Sequence, residues 1–207
     1  MKIITGLASP AGRLTATLYP SSYVNQAAYT TMALRPSGSY LGRTYRWYKG
    51  AVFPFEFGLH YTNFSVSVSE SFSCNFSIAE IMDKCKGTVN YLDQCPIPSL
   101  PLSITNTGNR TSDYVSLAFS IGTYGAPPYP IKTLATYKRV KVIKPGETTE
   151  VVLVWELESL ARVDERVDTV LYPGEYTLLV NEPTVAEVKF TLVGEEVVLE
   201  KWPQLGM

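Results

Sequence analysis

Alternation of apolar and polar residues with a period of two is the feature that most restricts how this sequence can fold. Phe64, Val66 and Val68 alternate with serines, as in a strand with one buried face. Further alternating runs, most of them bounded by turn-forming residues, occupy 100–105, 115–121, 151–155, 176–180 and 188–192, with a weaker one at 137–143. About seven short strands at such spacing predict a mainly β chain folded as an antiparallel immunoglobulin-like sandwich.

Two segments refine this prediction. In the run 115–121, Val115, Leu117, Phe119 and Ile121 alternate with Ser116, Ala118 and Ser120, which predicts a strand. Tyr176 follows a Pro-Gly turn at the start of a late strand, which suits a tyrosine corner whose hydroxyl returns to upstream backbone.

Residues 78–86 form the longest stretch with helical periodicity. The residues that would share one face of this helix are Ile78, Ile81, Met82 and Cys85. The helix would lie between the first two strands, as an insertion in a plain sandwich.

Charge and composition argue against several classes of function. The chain has 207 residues, 18 of them Lys or Arg and 19 Asp or Glu, so its net charge is −1. So balanced a charge predicts no nucleic-acid or acidic-membrane partner. No apolar run approaches a membrane span, and the N-terminus lacks the apolar core of a signal peptide.

Sequons and cysteines point toward secretion. Asn63, Asn75 and Asn109 each begin an Asn-x-Ser/Thr sequon, so we expect glycosylation there. The three cysteines allow three pairings, and Cys85 and Cys95 lie ten positions apart in a loop-like stretch. Secretory features without a leader suggest a fragment of an extracellular protein.

Residues 42–64 concentrate eight aromatic side chains among Arg, Gly and Pro, a composition typical of a packed joint. The predicted packing residues are Tyr45, Trp47, Tyr48, Phe53, Phe55, His60 and Tyr61. An alternative is that Tyr40, Tyr45, Trp47 and Tyr48 stack on sugar rings. The loop 124–129, stiffened by two prolines, is expected to be structural, with a role at a substrate rim as the alternative.

The sequence offers little support for a catalytic or metal-binding site. His60 is the only histidine and has no ligand-spaced neighbours, so we predict no metal site and expect a packed ring hydrogen-bonded to backbone. The acids Asp113, Asp164, Glu165 and Asp168 occur in loop or edge contexts and are predicted to cap turns or to be solvated. No cofactor motif is present.

Residues 1–41 have weak periodicity. Leu14, Ala16 and Leu18 alternate between turns at Pro10 and Pro20 and predict one short strand. A lone strand cannot bury two faces, so residues 1–60 should lack a core of their own.

Several motifs occur in an order and spacing that resemble the C-terminal part of secreted fungal β-xylosidases of glycoside hydrolase family 3. They include SPAGRLTATLYP, RTYRWY, VFPFEFGLHYTNF, TNTGNRTSDYVSLAF, IKPGETTEVVL and VLYPGEYTLLVNEPT. The resemblance implies that residues 1–62 are the end of an α/β-sandwich domain and its exit linker, and that residues 63–207 are a fibronectin type III-like domain. A similar cysteine loop in that family favours the Cys85–Cys95 pairing.

The same resemblance has consequences for activity. That family uses an Asp nucleophile and a Glu acid/base with carboxyl groups roughly 5 Å apart, both in upstream domains, and neither motif is present here. We therefore expect no catalytic residue and no activity from this chain alone. Its partners would be the upstream catalytic domains, and xylo-oligosaccharides would be contacted only through them. The alternative is a free-standing adhesion or carbohydrate-binding module, which would have no use for the SPAGRL…LYP segment.

One departure from the family pattern concerns Glu56. It stands where the family usually has the first Gly of Phe-Gly-x-Gly-Leu. If the position requires a positive φ, Glu56 is strained by about 1 kcal/mol or more.

Overall fold

The computed structural model describes residues 1–68, 72 and 75–203, and these are mainly β. Two α-helices, α1 (Thr44–Trp47) and α2 (Ile78–Cys85), and 3-10 turns at Ser21–Asn25, Leu92–Gln94 and Leu157–Ser159 accompany the strands. None of the described helices is long and apolar enough to cross a membrane. The described strands are β1 (Phe64–Val68), β2 (Asn75–Ser77), β3 (Leu100–Asn106), β4 (Ser112–Gly122), β5 (Thr133–Ile143), β6 (Thr148–Leu153), β7 (Arg162–Val163), β8 (Thr169–Leu171), β9 (Gly174–Val180), β10 (Ala186–Val193) and β11 (Val197–Glu200).

The strands form two main layers and a small third sheet. One layer has the order β1-β3-β6, the other β2-β10-β9-β4-β5, and the small sheet β11-β8-β7. Among the described strands, pairs are antiparallel except that β2 runs parallel to β10, with Asn75 opposite Thr191. The predicted antiparallel sandwich is confirmed, with this one parallel pair at its edge. β2 and β10 are far apart in sequence, so no hairpin imposes an antiparallel direction on them.

The core lies between the two main layers. Every second residue of β3 is buried, with Leu100, Leu102 and Ile104 almost fully enclosed. Leu178 and Val180 of β9 pack in the same cluster. The predicted period-two strands thus supply alternate side chains to one core.

Strand β4 is buried on both faces. Ala118 pairs with Val180 and Ser120 with Leu178, so the small residues of β4 face the core. Leu117 and Phe119 are buried on the opposite face. The predicted strand is confirmed, but its period of two does not reveal that both faces are buried, because the outer face of β4 is itself covered.

Helix α2 follows the predicted periodicity. Ser77 caps its N-terminus by accepting a hydrogen bond from the Glu80 N–H at 3.4 Å. Ile78, Ile81 and Cys85 are buried on one face. A disulfide joins Cys85 to Cys95, ten residues on, and ties the helix to the loop before β3. Cys74, the third cysteine, lies outside the described residues.

Tyr176 forms the predicted corner. Its ring is almost fully buried, and its hydroxyl donates to the Tyr172 carbonyl at 2.6 Å. The ring also stacks on Tyr124, with centroids 3.9 Å apart. The hydroxyl therefore fixes the turn that leads into β9.

Residues 1–62, here called the N-terminal segment, contain no strand. The strand predicted at Leu14 to Leu18 is wrong as an assignment, since Leu18 makes only an isolated bridge to Phe53. Backbone hydrogen bonds nevertheless join the two stretches: the Leu14 N–H donates to the Phe57 carbonyl, and the Leu18 N–H to that of Phe53. Pro54 lacks a donor, and Glu56 has a φ of +78°, so a regular ladder cannot continue between them.

Candidate interface between the N-terminal segment and the sandwich

The N-terminal segment covers the outer face of β4 at Phe119. Tyr45 and Phe55 stack on each other with ring centroids 4.5 Å apart. Both meet Phe119 edge-on, at 5.8 and 6.2 Å. The Leu134 N–H donates to the Tyr45 hydroxyl at 3.3 Å. Two of the predicted joint residues therefore pack directly on the sandwich.

His60 makes a second contact with the sandwich. Its ring stacks against Tyr114, with centroids 5.7 Å apart, and meets Phe64 edge-on at 5.2 Å. Neither ring nitrogen makes a hydrogen bond of normal geometry, and the one backbone group that acts on the ring as a hydrogen-bond partner is that of Pro10. Burial, helped by the charge of Arg13, lowers the His60 pKa to about 4, and the backbone of Pro10 offsets only part of this.

The other predicted joint residues have different surroundings. Tyr48 packs on Tyr19 and Tyr23 of its own segment. Phe53 packs on Phe57, and Trp47 lies beneath the Arg35 guanidinium. Tyr61 is 43% exposed. The predicted set thus divides between contacts with the sandwich and contacts within the segment.

These contacts bear on the sugar-stacking alternative. Tyr45 and Tyr48 pack against other aromatic rings, and Tyr40 is tethered through its hydroxyl to the Ala33 carbonyl at 2.7 Å. Trp47 is only half-buried and borders a cavity. Of the four, Trp47 is the one for which sugar stacking stays a prediction, because it borders a cavity.

Glu56 is the most unusual residue of the interface. Its side chain is fully buried, and neither carboxyl oxygen has a hydrogen-bond partner of normal geometry. Its φ of +78° is the left-handed conformation that the family pattern suggested for this position. Buried, unpaired and strained, this carboxyl is costly to the fold.

The surroundings of Glu56 set its charge. Burial raises its pKa to about 8, while the nearby charges of Arg13 and Lys132 act in the opposite direction. Lys132 is itself buried, and its ammonium donates to Glu182 Oε2 at 2.7 Å. It also lies 4.2 Å from the centre of the Phe119 ring. The Lys132 ammonium therefore acts on two carboxyl groups, and its hydrogen bond goes to Glu182 rather than to Glu56.

Two buried asparagines, Asn181 and Asn106, form hydrogen bonds with neighbouring loops, and neither was predicted from the sequence. The Asn181 amide donates to the Tyr114 hydroxyl at 2.9 Å and accepts from the Leu117 N–H at 2.9 Å. The Asn106 amide accepts from the Thr62 hydroxyl at 2.7 Å and donates to the Ile143 carbonyl at 2.9 Å. Asn106 thereby fastens the end of the N-terminal segment to the sandwich.

The sequon asparagines are all exposed. Asn63 and Asn109 border one shallow groove, in which Gly108 approaches the Thr62 side chain. A Cβ at Gly108 would lie 2.1 Å from the Thr62 hydroxyl oxygen, so glycine is required there. Asn75 lies in β2. Glycosylation at the three positions stays a prediction.

Two of the acids considered as catalytic candidates serve local structure. Asp113 accepts from the Val142 N–H at 2.9 Å and from Arg139. Asp164 accepts from the N–H groups of Arg166 and Asp168. Among the residues that the structure describes, no three His, Cys, Asp or Glu side chains cluster as metal ligands would.

Exposed apolar side chains concentrate in the N-terminal segment. Of the 26 large hydrophobic residues exposed in the described part of the chain, 14 lie within residues 1–61, less than a third of the sequence. These side chains are available for contact with a partner. They are Met1, Ile3, Ile4, Leu7, Leu18, Val24, Tyr29, Met32, Leu34, Leu41, Val52, Phe53, Leu59 and Tyr61.

Comparison with known sequences identifies the relatives of this chain. The fibronectin type III-like domain family matches residues 115–183. A probable exo-1,4-β-xylosidase of Aspergillus fumigatus is 46% identical over 98% of the chain, and the exo-1,4-β-xylosidase of Emericella nidulans is 45% identical over 99%. In each case the chain spans only 26% of the relative's length.

Comparison with solved structures also finds an exo-β-xylosidase. A family 3 exo-β-xylosidase bound to a xylobiose aziridine probe superposes with a TM-score of 0.93 at 36% identity, over 98% of this chain and 27% of that one. A β-glucosidase of Thermotoga neapolitana shares the fold, with a TM-score of 0.71 at 24% identity over 96% of this chain and 27% of that one. The chain is homologous to the C-terminal part of fungal exo-1,4-β-xylosidases.

Proposed function

We propose that this chain acts as the C-terminal, non-catalytic portion of a secreted xylan-degrading exo-β-xylosidase, and that it supports catalytic domains which precede this region in its relatives. Residues 1–62 would be the end of an α/β-sandwich domain with its exit linker. Residues 63–207 would be the fibronectin type III-like domain. The observation that carries the proposal is the cluster of exposed apolar side chains in the N-terminal segment, on a chain that corresponds to a quarter of its relatives.

The interface supplies a physical role for this portion. Tyr45 and Phe55 fix the N-terminal segment on Phe119, and Asn106 fixes its end at Thr62. A segment held in this way would offer its apolar side chains to a preceding domain in one orientation. Burying them would stabilise that domain by about 25 cal/mol per Å² of apolar area removed from water.

We expect no glycosidase activity from the chain itself. A retaining mechanism requires two carboxyl groups about 5 Å apart that reach the sugar. Glu56, the carboxyl with the largest pKa shift among the described acids, is enclosed and cannot contact a substrate. Asp113 and Asp164 are engaged in turn contacts.

An extracellular location is part of the same proposal. The Cys85–Cys95 disulfide is of the kind that persists in oxidising compartments. The three exposed sequons would carry N-linked glycans there.

A chimera tests the proposal. The chain replaces the corresponding C-terminal region of the Emericella nidulans exo-1,4-β-xylosidase, and hydrolysis of an aryl-β-xyloside is measured beside a deletion of that region and beside the isolated chain. We expect activity from the chimera alone. A deletion protein as active and as stable as the chimera would contradict a supporting role, and turnover by the isolated chain would contradict a non-catalytic one.

Two matched variants locate the contact surface. Leu59 is 63% exposed in the N-terminal segment, and Val193 is 46% exposed at the end of β10. Leu59→Asp should lower the Tm of the chimera but not that of the isolated chain, whereas Val193→Asp should change both equally. Equal effects of Leu59→Asp on the two proteins would indicate that this face is solvated in the whole enzyme.

A further inference from the structure

A cavity of about 140 Å³ lies between the N-terminal segment and the sandwich. Arg35, Arg46 and Trp47 line one side, and Tyr124 and Arg162 line the other. At about 30 Å³ per water molecule, this volume corresponds to roughly five waters. The space admits one small molecule or a single sugar ring.

The walls of the cavity carry positive charge without a counter-charge. Three guanidinium groups border it, and its lining contains no Asp or Glu. None of Arg35, Arg46 and Arg162 forms an ion pair within the described part of the chain, although other arginines do. Three uncompensated cations at one cavity favour an anionic occupant.

Neutral groups orient these arginines. Arg162 donates to the Tyr124 carbonyl and, at 2.9 Å, to the Pro128 carbonyl, and its guanidinium lies 5.3 Å from the Tyr129 ring centre. Arg35 lies 6.0 Å from the Trp47 ring centre. Carbonyls and rings hold the guanidinium groups of Arg162 and Arg35 in place but leave their charge available to a ligand.

We propose that this cavity binds a carboxylate-bearing sugar unit, a uronic acid. A guanidinium fork matches a carboxylate in geometry and charge. Trp47 supplies an apolar surface on which a sugar ring can lie. The choice of a sugar acid rests on the proposed function, in which the chain belongs to an enzyme that degrades a polysaccharide; the anion site itself rests only on the arginines.

The test measures binding by the full 207-residue chain with three probes: D-glucuronate, D-xylose and acetate. Glucuronate should bind at least about tenfold more tightly than either control, because it alone offers both a carboxylate and a ring. Added NaCl should weaken the binding.

Arg46→Gln is the diagnostic variant, because this exposed side chain makes no ion pair and its loss should not unfold the chain. It should weaken glucuronate binding about tenfold or more. Arg166→Gln is the matched control, since Arg166 is 72% exposed and lies in a different loop. It should leave the affinity unchanged.

Three outcomes would overturn the proposal. They are no binding of glucuronate by the folded wild-type chain, equal loss of binding in both variants, and binding of acetate as tight as that of glucuronate. The assay involves no xyloside turnover. A failure here therefore leaves the chimera experiment unaffected, and a failed chimera does not remove the anion site.

Discussion

Lys132 donates to Glu182 across 2.7 Å, whereas the buried carboxyl of Glu56 makes no hydrogen bond of normal geometry. The arrangement lies where the N-terminal segment meets the sandwich, so the ionisation of Glu56 is coupled to the integrity of that contact. Burial raises the Glu56 pKa from its ordinary 4.5 to about 8. A buried carboxyl of this kind makes stability depend on pH in a defined direction.

The first prediction concerns how the free energy of unfolding depends on pH. Between pH 4.5 and 8 the folded chain retains a proton on Glu56 that the unfolded chain has lost. The contribution of Glu56 to the free energy of unfolding should therefore fall as the pH rises through this window, by up to about 1.4 kcal/mol per pH unit.

His60 acts in the opposite direction at lower pH. Its folded-state pKa is lowered from 6.5 to about 4, so the unfolded chain binds the extra proton between these values, and stability rises with pH there. The two contributions nearly cancel from pH 4.5 to 6.5, which leaves a plateau followed by a decline toward pH 8. Urea denaturation across this range measures the profile. Glu56→Gln should remove the decline, and a Gln variant with an unchanged slope would contradict the assignment.

The second prediction is that Glu56→Gly leaves the chain equally stable or stabilises it. Glycine relieves the φ of +78°, worth about 1 kcal/mol or more, and removes the buried carboxyl. The gain should be larger at pH 8 than at pH 5. Val167→Gly is the control, because Val167 has a φ of +68° but is 47% exposed and carries no charge, so its gain should not vary with pH. A clear drop in Tm for Glu56→Gly would indicate a stabilising role for the carboxyl.

Glu56 also illustrates what the sequence could predict. The family pattern placed a glycine at its position, and a positive φ followed from that local comparison. Its burial and its neighbours did not, because Arg13 lies 43 positions before it and Lys132 lies 76 positions after it. Contacts over such separations depend on how the segment folds back onto the sheet.

The faces of β4 show a similar limit. A period of two divides a strand into two sets of side chains but does not say which set faces the core. Phe119 belongs to the larger apolar set, yet it faces outward, because Tyr45 and Phe55 cover that side. Short-range features were predictable: the buried face of α2 and the Tyr176 corner depend on residues within a few positions of each other.

Little in the sequence indicates that Asn106 and Asn181 are buried. Asn106 and Asn181 stand in turn-like sequences, TNTGNR and VNEPT, where asparagine is common for local reasons. Asn181 has a φ of +62°, which asparagine tolerates better than most residues. Their cross-links to Tyr114 and Thr62 emerge only once the strands are assembled.

The third prediction tests the tyrosine corner. Tyr176→Phe removes the hydroxyl that donates to Tyr172 and leaves that carbonyl without this donor, so the free energy of unfolding should fall by about 1 kcal/mol. Tyr137 is 70% exposed on β5, and Tyr137→Phe should change stability by less than about 0.5 kcal/mol. Equal effects of the two substitutions in urea denaturation would argue against a structural role for the Tyr176 hydroxyl.

The fourth prediction concerns the disulfide. Cys85 and Cys95 close a short loop, and a cross-link over ten positions stabilises by roughly 2.5–3 kcal/mol on the chain-entropy account. The double variant Cys85→Ala, Cys95→Ala should lose at least this much, because both side chains are also buried and their removal reduces packing. Reducing agent should lower the Tm of the wild-type chain and leave that of the double variant unchanged. Peptide mapping without reduction, on material made through the secretory pathway, should recover the 85–95 pair. Recovery of Cys74 linked to either partner would contradict the pairing, since one sulfur cannot serve two bonds.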